Sequence, residues 1–396
     1  MTVGSDATKD LVHRAAQLQR VLRDANLDPH TRKQVEKRYS LKEAERLVGR
    51  SRQAIREAEM RGYAPKGPVP KPDLGPNNRR LGFTLQQINE LREAFGTRLH
   101  RGADEDPVVV AVQNFKGGVA KTTTAVHLAQ YLAREGYRVL LVDCDPQASA
   151  TTTFGYLPDV DIPVEKTLLP YFTGEKATLD YAITPVEYWD GLDFIPANLQ
   201  TYTAEYTFIG DDYDPEMLLI LREGIQTVAD RYDVVVLDPA PALGFLSLNV
   251  LNAANALIVP VPPGRYDLAS TSAFLTMLHE ALQTLEQRLE MSEYKFVKLL
   301  ITKFDENSSA DIANAKNLQA AFGDHSLMRA KMKTSTEIKN AGNHLKTVYE
   351  LSEPVTSAKV HRRALTLFDA VNHEIELLIR ETWPSHAADL RAKGLA

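Results

Sequence analysis

The run Val108-Val109-Val110-Ala111-Val112-Gln113-Asn114-Phe115-Lys116-Gly117-Gly118-Val119-Ala120-Lys121-Thr122-Thr123-Thr124 constrains this chain more than any other segment. An apolar stretch rich in β-branched residues reads as a strand buried on both faces. The two glycines that follow let the backbone turn its N–H groups toward an anion. From Thr122 to Arg134 the periodicity is helical, and a helix N-terminus adds a favourable dipole at the same place. That junction suits a nucleoside triphosphate: Lys121 reaches the outer phosphates, and the Thr122 hydroxyl ligates Mg2+.

The ordinary phosphate-loop spacing, G-x-x-x-x-G-K-[ST], fails at both glycine positions, which hold Phe115 and Ala120. In their place stands a second lysine, Lys116, five residues before Lys121. The pattern K-G-G-x-x-K-[ST]-T resembles the deviant Walker A motif of the ParA/MinD superfamily of dimeric ATPases. By that resemblance Lys116, Gly117, Gly118, Val119, Ala120, Lys121, Thr122 and Thr123 hold ATP or ADP, and Lys116 reaches across a dimer interface to the partner's nucleotide. Taken alone, the run is also a Lys/Gly/Thr turn that needs no ligand; strand, glycines, two lysines and helix in this order argue against that. Ala120 departs from the commonest form, K-G-G-V-G-K-T. Its methyl group would cost about 1–2 kcal/mol if the position required a positive φ. The resemblance implies that the site stays active, because ParA proteins with N-terminal DNA-binding domains accept Ser or Ala there.

From the short polar linker Arg98–Asp106 onward, strands and helices alternate, with Pro107 stopping any helix from running into the first strand. The expected fold is α/β: a P-loop NTPase-type, largely parallel sheet flanked by helices, preceded by a helical arm and a winged helix-turn-helix domain. Strand Arg138–Val142 ends in Asp143-Cys144-Asp145-Pro146-Gln147, and strand Asp233–Leu237 ends in Asp238-Pro239-Ala240-Pro241. Ligands of such sheets bind beyond the carboxyl ends of the strands, where both acidic motifs and the loop sit. Asp238, after four apolar residues, has the place of a Walker B carboxylate holding Mg2+ through water. The element around Asp143 resembles the family's D-x-D-P-Q. By that resemblance Asp145 orients the attacking water, Asp143 supports the magnesium and the loop, and Gln147 couples nucleotide state to the dimer interface. Lys116, Lys121 and Asp145 are thus the catalytic candidates, and Thr122, Asp143 and Asp238 the metal candidates. The match extends through Val259–Pro263, Asp267–Thr271 and Leu299–Phe304 without assigning individual contacts.

Charge divides the chain. Residues 1–103 carry a net +9 and residues 104–396 a net −15, within a total of −6. A basic module joined to an acidic one points the first part at nucleic acid. Within it, residues 1–37 hold Leu11, Ala15, Leu18 and Leu22 on one helical stripe, which fits either packing on its own domain or dimerisation with a second copy. Residues 38–103 read as a winged helix-turn-helix. Ser40 and Ser51 cap two short helices around Gly49, and Arg52, Gln53 and Arg56 lie along the second. Asn77-Asn78-Arg79-Arg80 forms an apparent hairpin tip, making Arg79 and Arg80 wing contacts. The stretch resembles the winged helix of MerR-type regulators, although a basic oligomerisation hairpin has the same pattern. Residues 104–396 form the ATPase domain. In it, residues 329–363 carry eight Lys/Arg against three Glu. This is either a solvated helix surface or a phosphate-binding face. The resemblance implies nonspecific DNA binding there, with Lys333, Lys339 and Lys346 as candidates.

Several classes are excluded or disfavoured. The single cysteine, Cys144, rules out a disulfide framework and a cluster shared between subunits. No apolar run approaches the roughly 20 residues that span a bilayer, and there is no secretory h-region. The tail Glu381–Ala396, interrupted by Pro384, lacks the apolar face of a membrane-surface helix. The resemblance is strongest to large plasmid-partition ParA proteins, including the RepA members of repABC plasmids. It implies a cytoplasmic, nucleoid-associated homodimer that uses ATP and Mg2+ and meets a ParB-like centromere-binding partner. The ATP-bound dimer would bind nonspecific nucleoid DNA, and the N-terminal domain would bind operator DNA to autorepress. The alternative is an ATP-sensing transcriptional regulator that segregates nothing.

Overall fold

The computed structural model describes residues 4–26, 37–207, 214–289, 293–351 and 353–394. Its centre is a seven-stranded sheet, in which β3 (Val108–Val112), β4 (Val139–Cys144), β6 (Leu192–Ile195), β7 (Val234–Pro239), β8 (Ala256–Val261) and β9 (Phe296–Ile301) run parallel. The two-residue β5 (Thr184–Pro185) closes one edge antiparallel to β6, giving the order β5-β6-β4-β7-β3-β8-β9. Every residue of β3, β4, β7 and β8 is buried. Their continuous apolar runs, rather than alternating ones, are what a sheet covered by helices on both faces demands.

The α-helical elements are α1 (Gly4–Asn26), α2 (Leu41–Val48), α3 (Arg52–Arg61), α4 (Leu85–Phe95), α5 (Lys121–Glu135), α6 (Phe245–Ala253), α7 (Arg265–Arg288), α8 (Ser309–Ser326), α9 (Thr336–Asn343), α10 (Ala358–Thr382) and α11 (Pro384–Ala392), joined by shorter helical turns. Helices α5 and α10 share one apolar core with the N-terminal module, through Ile55, Ile88, Leu91, Leu128, Leu132, Phe368 and Trp383. Helices α6, α7 and α8 cover the opposite sheet face around Leu237, Leu257, Phe274 and Leu318.

In the basic N-terminal module, Ser40 and Glu43 form a reciprocal capping box at α2, Gly49 ends it at φ +66°, and Ser51 caps α3. Phe83 pairs antiparallel with Tyr39, and Thr84 starts α4 with a second capping box through Gln87. Leu74 bridges Arg80 around the Pro76–Asn78 turn, at the expected hairpin tip. A further hairpin, β1 (Tyr63–Ala64) with β2 (Gly67–Pro68), was hidden in the sequence. Strands of two residues leave no alternation to read.

The short polar linker Arg98–Asp106 is packed as a seam between the elements it joins. Arg101 is buried and donates to the carbonyls of Glu105, Ala229 and Tyr232, and Trp383 Nε1 donates to Asp106 O at 3.1 Å. One guanidinium carries five donors, so a segment polar in composition can still bind several carbonyls at once. The α1 stripe does not pack on its own domain among the described residues: Leu11 and Leu18 are 63% and 59% exposed. Leu22's side chain lies outside the described residues.

Candidate active site

The loop between β3 and α5 is held from both sides. Asn114 Nδ2 donates to Pro260 O at 2.9 Å, and its Oδ1 accepts from Lys116 N at 3.0 Å. Thr302 Oγ1 donates to Val119 O at 2.9 Å, and Thr124 Oγ1 to Ala120 O at 2.8 Å. Gly118 and Ala120 both adopt left-handed backbone, at φ +72° and +75°. The conditional penalty for Ala120 therefore applies, at about 1–2 kcal/mol. No side chain caps α5, which leaves its first N–H groups facing the loop's concavity. Lys121 is buried; its Nζ donates to Lys116 O at 3.1 Å. Burial lowers its pKa against the opposing fields of Asp238 and Asp145.

The register of β4 against β7 places Asp143 directly beside Asp238. Both are fully buried, and burial raises both carboxyl pKa values; the charge of Asp145 adds to the rise at Asp143, and that of Asp143 to the rise at Asp238. They differ in what they touch. Asp143 is saturated by its own loop: Oδ2 accepts from Thr151 N at 2.9 Å and Thr151 Oγ1 at 2.7 Å, and Oδ1 from Asp145 N at 3.2 Å. Both oxygens of Asp238 are buried without a hydrogen-bond partner. The Thr122 hydroxyl faces them without forming a hydrogen bond of ordinary geometry. An orphaned carboxylate beside a threonine hydroxyl suits a hydrated divalent cation, since Mg2+ keeps most of its waters and needs few protein oxygens. Asp145, also buried, accepts from Gln147 N at 2.9 Å, and its pKa is raised by burial.

Lys116 lies on the other rim. Its Nζ is paired with Asp267 of α7 in the same chain, and Ser270 Oγ is 3.5 Å away. Neither this acid nor Thr302 was assigned a contact from sequence. Each lies more than 150 residues from its partner, and no local pattern records such a pairing.

An AAA domain matches residues 108–291. The chain is 39% identical to Protein SopA of Escherichia coli strain K12 over 90% of this chain and 92% of that one. It is 33% identical to a putative replication protein A of Rhizobium rhizogenes, over 90% and 89%. The chain belongs to the ParA family of partition ATPases. A solved partition protein shares the fold with a TM-score of 0.64, covering 95% of this chain and 99% of that one at 21% identity. This ParA-family chain is a plasmid-partition ATPase with a mostly parallel sheet.

The candidate DNA contacts of this ParA-family chain lie apart from the loop. On α3, Arg52 pairs with Glu45 at 3.1 Å, Gln53 donates to Glu57 at 2.9 Å, and Arg56 is exposed. Arg79 is exposed, whereas Arg80 pairs with Glu59 of α3 and stacks over Phe83, tying the Pro76–Asn78 turn to that helix. Near the C-terminus Lys339 is exposed and Lys346 half-buried, while Lys333 Nζ is bound to Glu306 at 2.7 Å. Among the described residues no helix is long and apolar enough to cross a membrane.

The N-terminal module also meets the far end of the loop's helix. Arg98 Nε donates to Gly136 O at 2.9 Å, Arg46 pairs with Glu135 at 3.5 Å, and Asn89 Nδ2 donates to Asp190 at 2.7 Å. Gly136 sits at φ +116°, a backbone that strains any L side chain, and a Cβ there would stand a tight 3.1 Å from Arg92 Nη1. Arg92 is itself buried, donating to Leu47 O and Asn89 Oδ1, and burial lowers its pKa to about 10.

Proposed function

We propose that the chain works as a nucleotide-gated DNA switch in plasmid partition, cycling between ATP and ADP as a homodimer. The observation that carries this reading is the pair of unpartnered buried oxygens on Asp238, beside Thr122 and across from Lys121. Bound there, Mg2+ would neutralise the Asp238 carboxylate and the charge building on the transferred phosphoryl group. The N–H groups of residues 117–123 and the Lys121 ammonium hold the phosphates, while Asp143 fixes the loop that carries Asp145. Asp145 orients the attacking water by position rather than as a strong base, which suits a loose phosphoryl-transfer transition state. Lys116 leaves Asp267 for the partner chain's phosphates, so the site is complete only when two chains meet.

The closed dimer binds nonspecific nucleoid DNA through the basic face near Lys333, Lys339 and Lys346. A ParB-like partner stimulates hydrolysis and release, in the cytoplasm. The winged helix binds operator DNA through Arg52, Gln53, Arg56, Arg79 and Arg80 and represses its own operon. Its shared core with α5 supports communication between operator binding and nucleotide state. The test is a DNA-binding assay with operator and random duplexes in ATP, in ADP and without nucleotide. Operator binding that maps to residues 38–103, with random-duplex binding only in ATP, is the expected result. Nucleotide-independent binding to both duplexes would overturn the model.

A further inference from the structure

Glu306 is an acid set inside the basic face. Its Oε2 accepts from Lys333 Nζ at 2.7 Å, and its Oε1 accepts from Arg363 Nη2, so each oxygen holds one cation from a different element. Lys333 belongs to the segment after α8 and Arg363 to the first turns of α10. Lys331 lies over the Phe304 ring at 5.8 Å, and Lys359 and Arg362 are exposed near the start of α10.

The backbone fixes the arrangement. Phe304 N donates to Met332 O at 3.1 Å, and Thr334 N donates to Phe304 O at 3.0 Å. Lys333 is therefore bridged in parallel to the segment that carries Glu306. Asp305 N donates to Asp311 on α8 at 3.0 Å, anchoring the turn from its other side. An ion pair between long, free side chains loses much of its benefit to ordering entropy, whereas these backbones are already ordered. The three groups remain partly exposed, at 30% for the Lys333 side chain, 37% for Glu306 and 57% for Arg363. A phosphate diester can therefore reach the cations that the carboxylate holds.

We infer that Glu306 is an internal counter-ion occupying the position of a DNA phosphate between Lys333 and Arg363, so that duplex DNA must displace it to use both cations. The inference rests on the reading that this face binds DNA. A carboxylate and a phosphate oxygen compete for the same donors, and Arg and Lys accept either. The acid lowers nonspecific affinity and keeps the face from holding DNA permanently, while more exposed cations such as Lys339 and Arg362 make the first encounter.

The test uses the full chain and a random-sequence duplex, titrated over a salt series in ATP and in ADP. Glu306→Gln keeps the shape and removes the charge. It should tighten binding about threefold to tenfold, the scale of two partly exposed ion pairs. The log–log salt slope should steepen by about one per freed cation. In a Lys333→Ala/Arg363→Ala background the same substitution should have no effect. If Glu306→Gln leaves affinity and slope unchanged while the double variant weakens binding, the counter-ion role is overturned and the DNA face stands. If neither change moves the affinity, both fall.

Discussion

On the proposed function, the phosphate loop and the basic face near the C-terminus both meet polyanions, yet they use different material. The loop offers main-chain N–H groups set by β3 behind, α5 in front and the Asn114 and Thr302 side chains at the flanks. The basic face offers the tips of long side chains, of which at least Lys333 and Arg363 are already engaged by Glu306. Main-chain donors in a closed turn are organised before the ligand arrives and lose little entropy when it binds. Side-chain cations spread over separate segments bind by charge and carry no register. On that reading the first region discriminates a triphosphate, while binding at the second is graded by salt and by competing acids.

Lys121→Ala should show the contrast most strongly. A charge-assisted contact to phosphate in a desolvated loop is worth about 3 kcal/mol, so ATP affinity should fall about 100-fold in a titration with a fluorescent nucleotide. Lys339→Ala, which removes one exposed cation, should weaken random-duplex binding only a few-fold and reduce the salt slope by about one. Comparable losses for the two would break the distinction.

Asp145→Ala tests whether positioning, rather than binding, is the work of the acidic strand end. ATP affinity should stay near that of the unaltered chain, while kcat drops about 100-fold, the scale of misplacing an attacking group by an ångström. Hydrolysis at the normal rate would remove Asp145 from the catalytic group.

How much of this was legible follows the same division. The loop, each acidic strand end and each strand of the parallel sheet are written in short local runs, as where five buried β-branched or small residues lead through glycines into a helix. Such local sequence specifies both the element and the site at its end. The neighbouring placement of Asp143 and Asp238 follows from strand register, which depends on β4 and β7 being adjacent. The partners Asp267, Thr302 and Glu306 were not legible, because each acts on a residue brought near by tertiary packing alone. The seam at Arg101 was hidden for the same reason: composition records its polarity, and only the fold supplies the carbonyls that satisfy it.

Lys116 stands between the two kinds of site, a side-chain cation on the rim of a main-chain cradle. Lys116→Ala should abolish ATP-dependent dimer formation in sedimentation; an unchanged dimer would remove the cross-subunit role. Asp267→Asn should do the reverse on a smaller scale. Releasing a half-exposed ion pair should lower the protein concentration needed for the ATP dimer by about twofold to fivefold. A dimer weakened by Asp267→Asn would mean that the acid organises the interface instead of restraining the lysine.

The smallest effect belongs to Ala120→Gly, and it tests what sets the loop's shape. Glycine removes about 1–2 kcal/mol of left-handed strain at φ +75°. It also raises the entropy of the unfolded chain, costing about 0.5–1 kcal/mol. The two nearly cancel, so a urea midpoint should shift to slightly higher denaturant, by less than about 1 kcal/mol of stability, with ATP affinity unchanged. That outcome would mean that the bonds from Thr124 and Thr302 impose the loop conformation on whichever residue occupies the position. A loss of more than about 2 kcal/mol would instead place the determinant in the packing of the Ala120 methyl group against the core, an effect of the size seen on deleting buried methyl groups. The cradle would then depend on side-chain fit, as the basic face does.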